Sequence, residues 1–435
     1  MAAKIIKILI CYTFLSNQDK ILLNHDTLQP NIDSFTSLNF YFCPFFLKQK
    51  KMLMKHKVLS IFVFTLTFGW LSGYSQDTLP EKKAQKIWQQ VKEHVNVGGW
   101  IDAQYAYDQL GEEKSSVFQI RRARLDLKGS LSKWVDFRLQ GDLAPNPRLI
   151  DAFVKVNFCK YVQLQVGQFK IPFSLENKLS PLDLELTENA QVISALSGYK
   201  DVTGIGTYSN GREIGLMLTG TAASAEVRGE RIPILTYGIG IFGGNGINVK
   251  TDNMAKDISA RLEFCPFVKG LTISISEYWG KYDMLYNGAS TGVDGTRFRS
   301  AYGLEYRTGK LVVRSEYLWG VTDFALNTNG PFGEDYHIVP NPARSHGFYV
   351  VSGYWFDFGW GGKSTVRQQL RPVIRLDYYQ KNLNLNDKQP SIYYSAGLDW
   401  WPEKHVRVQL NYTLKQLYNN DQLGHNMTVM TSVKF

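Results

Sequence analysis

Apolar and polar residues alternate in four short segments between residues 118 and 169. In the second of these segments, Asp136 and Arg138 alternate with Val135 and Phe137. Because successive side chains of a β-strand point to opposite faces, a repeat of two residues predicts a strand with one apolar and one charged face. The sequence therefore predicts four consecutive strands here, separated by turns.

The same alternation recurs in twelve further segments between Gly98 and Phe435. About sixteen strands result, with fourteen or eighteen left open, because bacterial outer-membrane barrels have an even number of strands. Alternation is shared by two kinds of sheet. In a soluble antiparallel sheet the apolar face packs on a core, whereas in a transmembrane barrel it meets lipid and the polar face lines a lumen.

The last predicted strand and the lengths of the connections both favour the barrel. The last predicted strand places Val433 and Phe435 on one face and ends on the final residue, which is typical of the closing strand of an outer-membrane barrel. Connections between predicted strands alternate between short ones, such as 308–310, and long ones, such as 284–296 and 323–345. Short periplasmic turns and long outer loops are expected of such barrels.

The beginning of the chain has the pattern of a secretory signal peptide. A basic stretch is followed by an apolar run from Val58 to Leu71 and by small residues, which predicts cleavage after Ser75. An N-terminal membrane anchor is the alternative. The predicted organisation is an upstream extension without structural role (1–51, with translation starting at Met52 or Met54), a signal peptide (52–75), a short, partly helical periplasmic segment (76–96) and a transmembrane antiparallel β-barrel (97–435).

Composition narrows the function classes. The chain has 435 residues, a net charge of +10 and 14% aromatic residues, and its mean hydropathy is slightly negative, which argues against a bundle of membrane-spanning helices. Its basic residues are spaced singly along strands, so no nucleic-acid partner is expected. Cys159 and Cys265 alone remain after the predicted leader, too few for a disulfide framework, and no metal site or cofactor is predicted.

Alternation stops over about thirty residues after the fourth strand, within residues 170–203. Long connections without a repeat of their own are unusual in compact domains and tend to be functional. In a barrel, this segment is the one expected to fold inward as a constriction loop. An ordinary extracellular loop is an equal alternative.

Because alternate residues of a strand face the same side, odd or even position in each strand identifies the side chains expected to line the lumen. Among these side chains, cations outnumber carboxylates. Rings of Arg and Lys attract anions, so the excess predicts a modest anion preference. Alternatively, the charges pair across neighbouring strands. The candidate cations are Arg122, Arg124, Lys128, Arg138, Lys155, Arg299, Arg307, Arg314, Arg371, Arg375 and Arg407, and the carboxylates are Asp126, Asp136, Asp142, Asp151, Glu305, Glu316 and Asp377.

Three stretches of the sequence, Phe118 to Gly129, Ile150 to Val154 and Val166 to Glu176, resemble the phosphate-selective porin O and P family. The leader and the region of Gly198 and Tyr199 resemble the versions of this family from Bacteroidetes. The resemblance implies a sixteen-stranded porin of a Gram-negative outer membrane, usually a homotrimer. Its lumenal Arg and Lys residues would guide small anions such as phosphate.

Individual positions carry the family motifs. Arg121, Arg122 and Arg124 match the basic strand motif, and Lys170 follows the Gly-Gln-Phe motif, which adds it to the pore-lining candidates. The sequence departs from an anion filter after Ser180, where Asp183, Glu185 and Glu188 occupy positions at which basic groups would be favoured.

Two other functions compete with a porin. An enzymatic barrel would need neighbouring Ser and His on one wall, and the spacing of His425 and Ser432 does not provide this, so no enzyme and no catalytic residue is predicted. The alternative from another class is a secreted soluble β-sandwich that acts as a binding module. Extraction distinguishes the two, because only a porin requires detergent.

Overall fold

The computed structural model describes residues 94–197, 211–227, 229–250, 256–266, 268–286, 289–327, 338–359, 367–381, 389–417 and 423–435. These residues form seventeen β-strands and two short helices. The strands are β1 (Val95–Leu110), β2 (Glu113–Ser132), β3 (Val135–Asp142), β4 (Arg148–Cys159), β5 (Val162–Lys170), β6 (Arg212–Val227), β7 (Glu230–Phe242), β8 (Asp257–Phe264), β9 (Leu271–Tyr286), β10 (Ala289–Arg307), β11 (Leu311–Asn327), β12 (Ile338–Tyr354), β13 (Phe356–Gly359), β14 (Arg367–Lys381), β15 (Gln389–Glu403), β16 (Val406–Leu417) and β17 (Leu423–Lys434), and the helices are α1 (Leu175–Lys178) and α2 (Gln191–Leu196).

The strands form one closed antiparallel barrel. Apart from β12, each strand pairs with the next along the chain, and β1 pairs with both β2 and β17, which closes the sheet. Strands β12 and β13 both pair with β14 and are separated only by Trp355, so together they make one strand of the wall. The described wall therefore has sixteen strands, and the predicted fold class is confirmed. All sixteen predicted segments are strands in the structure.

Side-chain exposure follows the predicted parity with the apolar face outward. On β1 and β2, Ile101 and Leu125 are 45% and 50% exposed, whereas Asp102 and Arg124 are 1% and 4% exposed. A soluble sandwich requires the reverse, with two sheets packed through their apolar faces. The sandwich alternative is therefore wrong, because the described strands belong to a single sheet that encloses its polar face.

Replacing Leu125 by arginine is expected to impair assembly of the barrel in a membrane. A cation on the lipid face costs about 2–4 kcal/mol near the bilayer midplane, and Leu125 projects outward from the middle of β2. The measurement is the yield of folded barrel in lipid vesicles. The folded barrel is detected in gels because its mobility in unheated samples differs from that in heated ones. Leu125→Phe keeps the face apolar and should insert normally. Equal yields for both variants would contradict the outward orientation.

Phe435 and several short turns lie at the same end of the barrel. Phe435 exchanges backbone hydrogen bonds with Gly99 of β1 at 3.0 and 3.1 Å, which extends the pairing between β17 and β1. At this end the turns are short, for example 133–134 and 160–161. The expectation of long loops over 284–296 and 323–345 was wrong for most of those residues, because β9 to β12 extend far into both ranges.

Several predictions lie outside the described residues. These are the upstream extension, the signal peptide, residues 76–93 of the periplasmic segment and residues 198–203 of the expected constriction loop. Helices of the described regions are all too short to cross a membrane. Cys159 and Cys265 are both free thiols.

Candidate functional site

The described part of the connection between β5 and β6, residues 171–197 and here called the inward segment, lies against the inner wall of the barrel. Its residues Phe173, Val192 and Ile193 are fully buried, and they belong to one apolar cluster with Leu318 of β11 and Tyr349 of β12. These two wall residues are apolar or aromatic exceptions on a polar inner face. The inner wall is therefore adapted locally to hold the segment.

Glu316 of β11 fixes the start of the segment. Its carboxylate accepts hydrogen bonds from the backbone N–H groups of Leu175 at 2.7 Å and Glu176 at 2.8 Å, and from the Ser174 hydroxyl at 3.1 Å. Tyr349 donates a further bond at 2.7 Å. A carboxylate that accepts several bonds at the free N–H groups of a helical turn is well stabilised. Glu316 therefore anchors the segment at its first turn.

Arginines of the wall bind carbonyl oxygens along the rest of the segment. Arg407 donates to Leu182 O at 2.8 Å and to Leu184 O at 2.6 Å. Arg375 donates to Glu188 O at 2.7 Å. These carbonyls lie in an irregular stretch without regular secondary structure, so they need external donors. The wall supplies them from side chains that a strand-parity argument assigns to the lumen.

Two further predicted cations hold the segment in the same way. Arg299 donates to Leu196 O at 2.9 Å, and Arg371 donates to Leu184 O at 3.4 Å while binding Asp399 at 2.5 Å. Both arginines are only 3% exposed. Their charges are therefore committed to backbone and carboxylate partners rather than to the aqueous passage.

Glu185 is the acidic centre of the segment. It binds Arg314 at 2.6 Å and Arg307 at 3.3 Å. The residue lies outside the strands that form the wall. Burial by itself would raise the pKa of the Glu185 carboxyl, but Arg314, Arg371 and Arg307 outweigh it and hold that pKa at about 2.

This pKa predicts that the ion pairs of Glu185 resist acid. Because the pKa of Glu185 is lower in place than its ordinary value of 4.5, the stabilisation that Glu185 contributes is present above pH 4.5 and is lost as pH falls towards 2. The part of an acid-induced change in single-channel conductance that depends on Glu185 is therefore expected to lie below pH 4.5. Glu185→Gln should remove the acid step. A step centred near pH 4.5 would contradict the ion pairs.

An open cavity of about 240 Å³ remains beside the segment, on the side of the barrel formed by β1 to β6. Cations, amides and aromatic rings all contribute to its lining. The lining residues are Trp100, Arg124, Arg138, Gln140, Asp151, Phe153, Gln165, Phe169, Lys170, Lys178, Ser180, Pro181 and Arg212.

Five cations and one carboxylate line this cavity. Arg138 lies between Asp126 at 2.8 Å and Asp151 at 3.3 Å, and its side chain is 33% exposed. Arg212 binds Asp151 at 2.6 Å, and Arg124 binds Asp142 at 3.0 Å. These three guanidinium groups are paired with three carboxylates, and Lys178 binds Glu263 at 2.8 Å. Only Asp151 of these carboxylates belongs to the lining, so cations outnumber carboxylates at the cavity surface, while the carboxylates behind them offset much of that charge.

The predicted site residues fall into two groups. The residues that contact the inward segment directly are Lys170, Arg299, Arg307, Arg314, Arg371, Arg375 and Arg407. Arg122, Arg124, Lys128, Arg138 and Lys155 remain on β2 to β4, where Arg122 binds Asp102 at 3.1 Å. Lys170 belongs to both sites, since it donates to Asn177 O at 2.7 Å and also lines the cavity.

Sequence reasoning missed Arg212 and Lys178 as lining residues. Arg212 shares even parity with Ile214 and Leu216, which are both 42% exposed on the outer face, so alternation alone would place Arg212 outside. Instead it is 3% exposed and binds Asp151 in the lumen. Lys178 lies on the segment, where no strand pattern applies. The available signal for both was the basic charge beside the long connection.

The comparisons with known proteins agree with this architecture. A family model described as phosphate-selective porin O and P matches residues 94–433. The chain belongs to this family. The protein is therefore a porin, and the inward segment and the cationic cavity lie within its channel. No curated protein gives a significant sequence match to this porin.

Solved porins share the fold at low sequence identity. The anion-selective porin from Comamonas acidovorans has 13% identity and a TM-score of 0.53, covering 78% of this chain and 99% of that chain. OmpF of Salmonella typhi in complex with daunomycin has 16% identity and a TM-score of 0.51, covering 78% and 97%. OmpT of Vibrio cholerae, folded in vitro, has 11% identity and a TM-score of 0.51, covering 78% and 97%. At these identities the likeness establishes the fold alone.

Proposed function

We propose that this porin conducts small hydrophilic solutes by passive diffusion, without enzymatic activity, and that it modestly prefers anions such as phosphate. The cationic cavity is the observation that carries this proposal. Its five cations converge where Lys178, Ser180 and Pro181 of the inward segment approach β1 to β6. In this proposal, the segment is the constriction and the cavity is the narrow part of the passage.

The charge arrangement explains a preference that is modest rather than strict. Arg and Lys side chains around a pore lower the entry barrier for anions, and a guanidinium group forms paired hydrogen bonds with phosphate oxygens. Asp126 and Asp151 lie within 3.3 Å of Arg138. These carboxylates weaken the field, so anions that enter also leave.

We place this porin in the outer membrane of a Gram-negative bacterium, in contact with lipid. Support comes from the outward apolar side chains, such as Ile241 and Leu262, which are both 51% exposed. Their solvation by water would be unfavourable over the whole circumference of the barrel. Fractionation tests the proposal, because the protein should require detergent for extraction and should not appear among soluble periplasmic proteins.

The ion preference is tested in planar bilayers that contain the purified protein. Under a KCl gradient, the reversal potential should have the sign of chloride preference, with a permeability ratio of a few to one. Replacing chloride by phosphate should leave a measurable anion current. A reversal potential with the sign of potassium preference would remove the anion proposal while leaving a general porin.

We further propose that three copies assemble, as the family resemblance implies. The outer surface where β1, β2 and β17 meet has a concavity of about 480 Å³ lined in part by Tyr105, Ile120 and Val429. Phe118, at its edge, is 85% exposed. Self-association would cover this patch. Native mass spectrometry in detergent should show a trimer that Phe118→Ala weakens, and a monomer at all concentrations would contradict it.

A further inference from the structure

One wall of the cationic cavity is aromatic. Phe153 is half-buried and contacts Phe169 edge to face, with ring centroids 5.9 Å apart. Trp100 lies beside them, with the Arg124 guanidinium 5.3 Å from its ring centroid. A filter for inorganic ions alone gains nothing from apolar rings in its lining. These rings provide a surface against which the apolar face of an organic group can pack.

The same cavity contains hydrogen-bond donors that the protein leaves unused. Gln140 is only 1% exposed, and the Nε2 of its side chain has no hydrogen-bond partner among the described residues. The Nε1 of Trp100, a residue 6% exposed, likewise lacks a partner within the described structure. Buried donors are usually paired. Two unpaired donors in the lining of one cavity indicate a ligand with acceptor oxygens beyond its charged group.

The cavity is slightly smaller than a typical small-molecule site but larger than inorganic phosphate requires. Small-molecule sites have volumes of about 300–1,000 Å³, and this cavity, at about 240 Å³, lies just below that range. With a share of about 30 Å³ for each water molecule, it has room for about eight waters. Inorganic phosphate, with five heavy atoms, would leave much of this space to water.

We propose that the cavity is a subsite for sugar phosphates, which this porin admits in preference to inorganic phosphate. The inference rests on the anion preference proposed above and specifies its substrate class. The phosphate lies between Arg138, Lys170 and Arg212. The sugar ring packs on Phe153, and its hydroxyl oxygens accept hydrogen bonds from Gln140.

Blockade of the KCl current in planar bilayers tests this assignment, with inorganic phosphate, glucose 6-phosphate and glucose as probes. Glucose 6-phosphate should block half of the current at a concentration about tenfold lower than inorganic phosphate, a factor that corresponds to about 1.4 kcal/mol. Glucose, which lacks the charge, should block weakly. Equal half-blocking concentrations for the two phosphates would overturn the proposal.

Variants of β4 separate the aromatic contribution from the charge. Phe153→Ala should raise the half-blocking concentration of glucose 6-phosphate to that of inorganic phosphate, without changing the value for inorganic phosphate. Phe153→Leu keeps an apolar side chain of similar bulk and should lose less. Phe158→Ala is the matched control, because Phe158 lies on the same strand but faces outward with 38% exposure. A loss of blockade in Phe158→Ala equal to that in Phe153→Ala would overturn the proposed contact.

The reversal potential measured in the same bilayers distinguishes the two levels of failure. Anion preference together with equal blockade by both phosphates would overturn the sugar phosphate proposal alone. Cation preference with no blockade by either phosphate would overturn the proposed function and this inference together. A mobility in gels of unheated samples that matches the wild type shows that the barrel has assembled in each variant.

Discussion

Replacing Ile193 by aspartate is expected to raise the single-channel conductance roughly twofold and to increase its noise. Ile193 is fully buried in α2, within the cluster that contains Leu318 and Tyr349 of the wall. Burial of such a side chain contributes about 1.5–3 kcal/mol, and a carboxylate in its place would be buried without a partner. Helix α2 should therefore leave the wall and widen the passage.

Ser194→Asp is the matched control for this change. Ser194 lies next to Ile193 on the same helix but is half-buried outside the apolar cluster, so the added charge can reach water. It should leave the conductance near that of the wild type. Both variants are compared in planar bilayers after their folded state has been checked by gel mobility. Wild-type conductance in a correctly folded Ile193→Asp variant would show that the segment does not narrow the channel.

Replacing Arg138 by glutamate is expected to abolish the anion preference and to favour cations. The change places a third carboxylate beside Asp126 and Asp151, which now lie 2.8 and 3.3 Å from the guanidinium group. Like charges at such distances in a narrow passage repel anions strongly. Arg138 is one-third exposed and makes no hydrogen bond to the inward segment in the described structure, so the barrel should still assemble.

Selectivity is measured as the reversal potential under a KCl gradient. Lys404→Glu makes the same change of charge at an exposed turn between β15 and β16, outside the cavity lining, and should leave the reversal potential unchanged. If both variants shift the potential equally, overall charge rather than the cavity determines selectivity. If neither shifts it, the ion path does not pass Arg138.

The arginines of the lumen do not form a uniform ring, because they have different partners, and their substitution should therefore have different effects. Arg371 and Arg407 are bound to Asp399 and to carbonyl oxygens of the segment, and both are at most 3% exposed. Charge reversal there should disturb the position of the segment before it changes selectivity. Removing one partner of a buried ion pair leaves the other uncompensated, at a cost of about 3–5 kcal/mol.

The strands and their orientation follow from the sequence alone. Alternation of single residues, as in Val135 to Asp142, defines both the strand and its two faces, because the geometry of an extended chain is local. The chain end is equally local, since the last residues carry the same alternation up to Phe435. For this reason the sixteen strands and the outward apolar face could be predicted without a structure.

The position of the inward segment was decided only by the tertiary structure. Its anchor is the contact of Glu316 with residues 174–176, which are about 140 positions away along the chain. Parity states which face a side chain occupies but not which distant residue meets it there. It therefore could not separate Arg138, which borders the cavity, from Arg407, which binds the segment.

Parity also gave the wrong side for one residue of the cavity. Arg212 directly follows Gly211, whose φ of +67° is rare for other residues, and it reaches Asp151 on the lumenal side although Ile214 of the same parity faces outward. The sequence by itself determined a barrel with a charged lumen, because strand geometry depends on neighbouring residues. Only the closed tertiary structure decided which of those charges line the cavity and which hold the segment, because that depends on contacts between strands far apart in the chain.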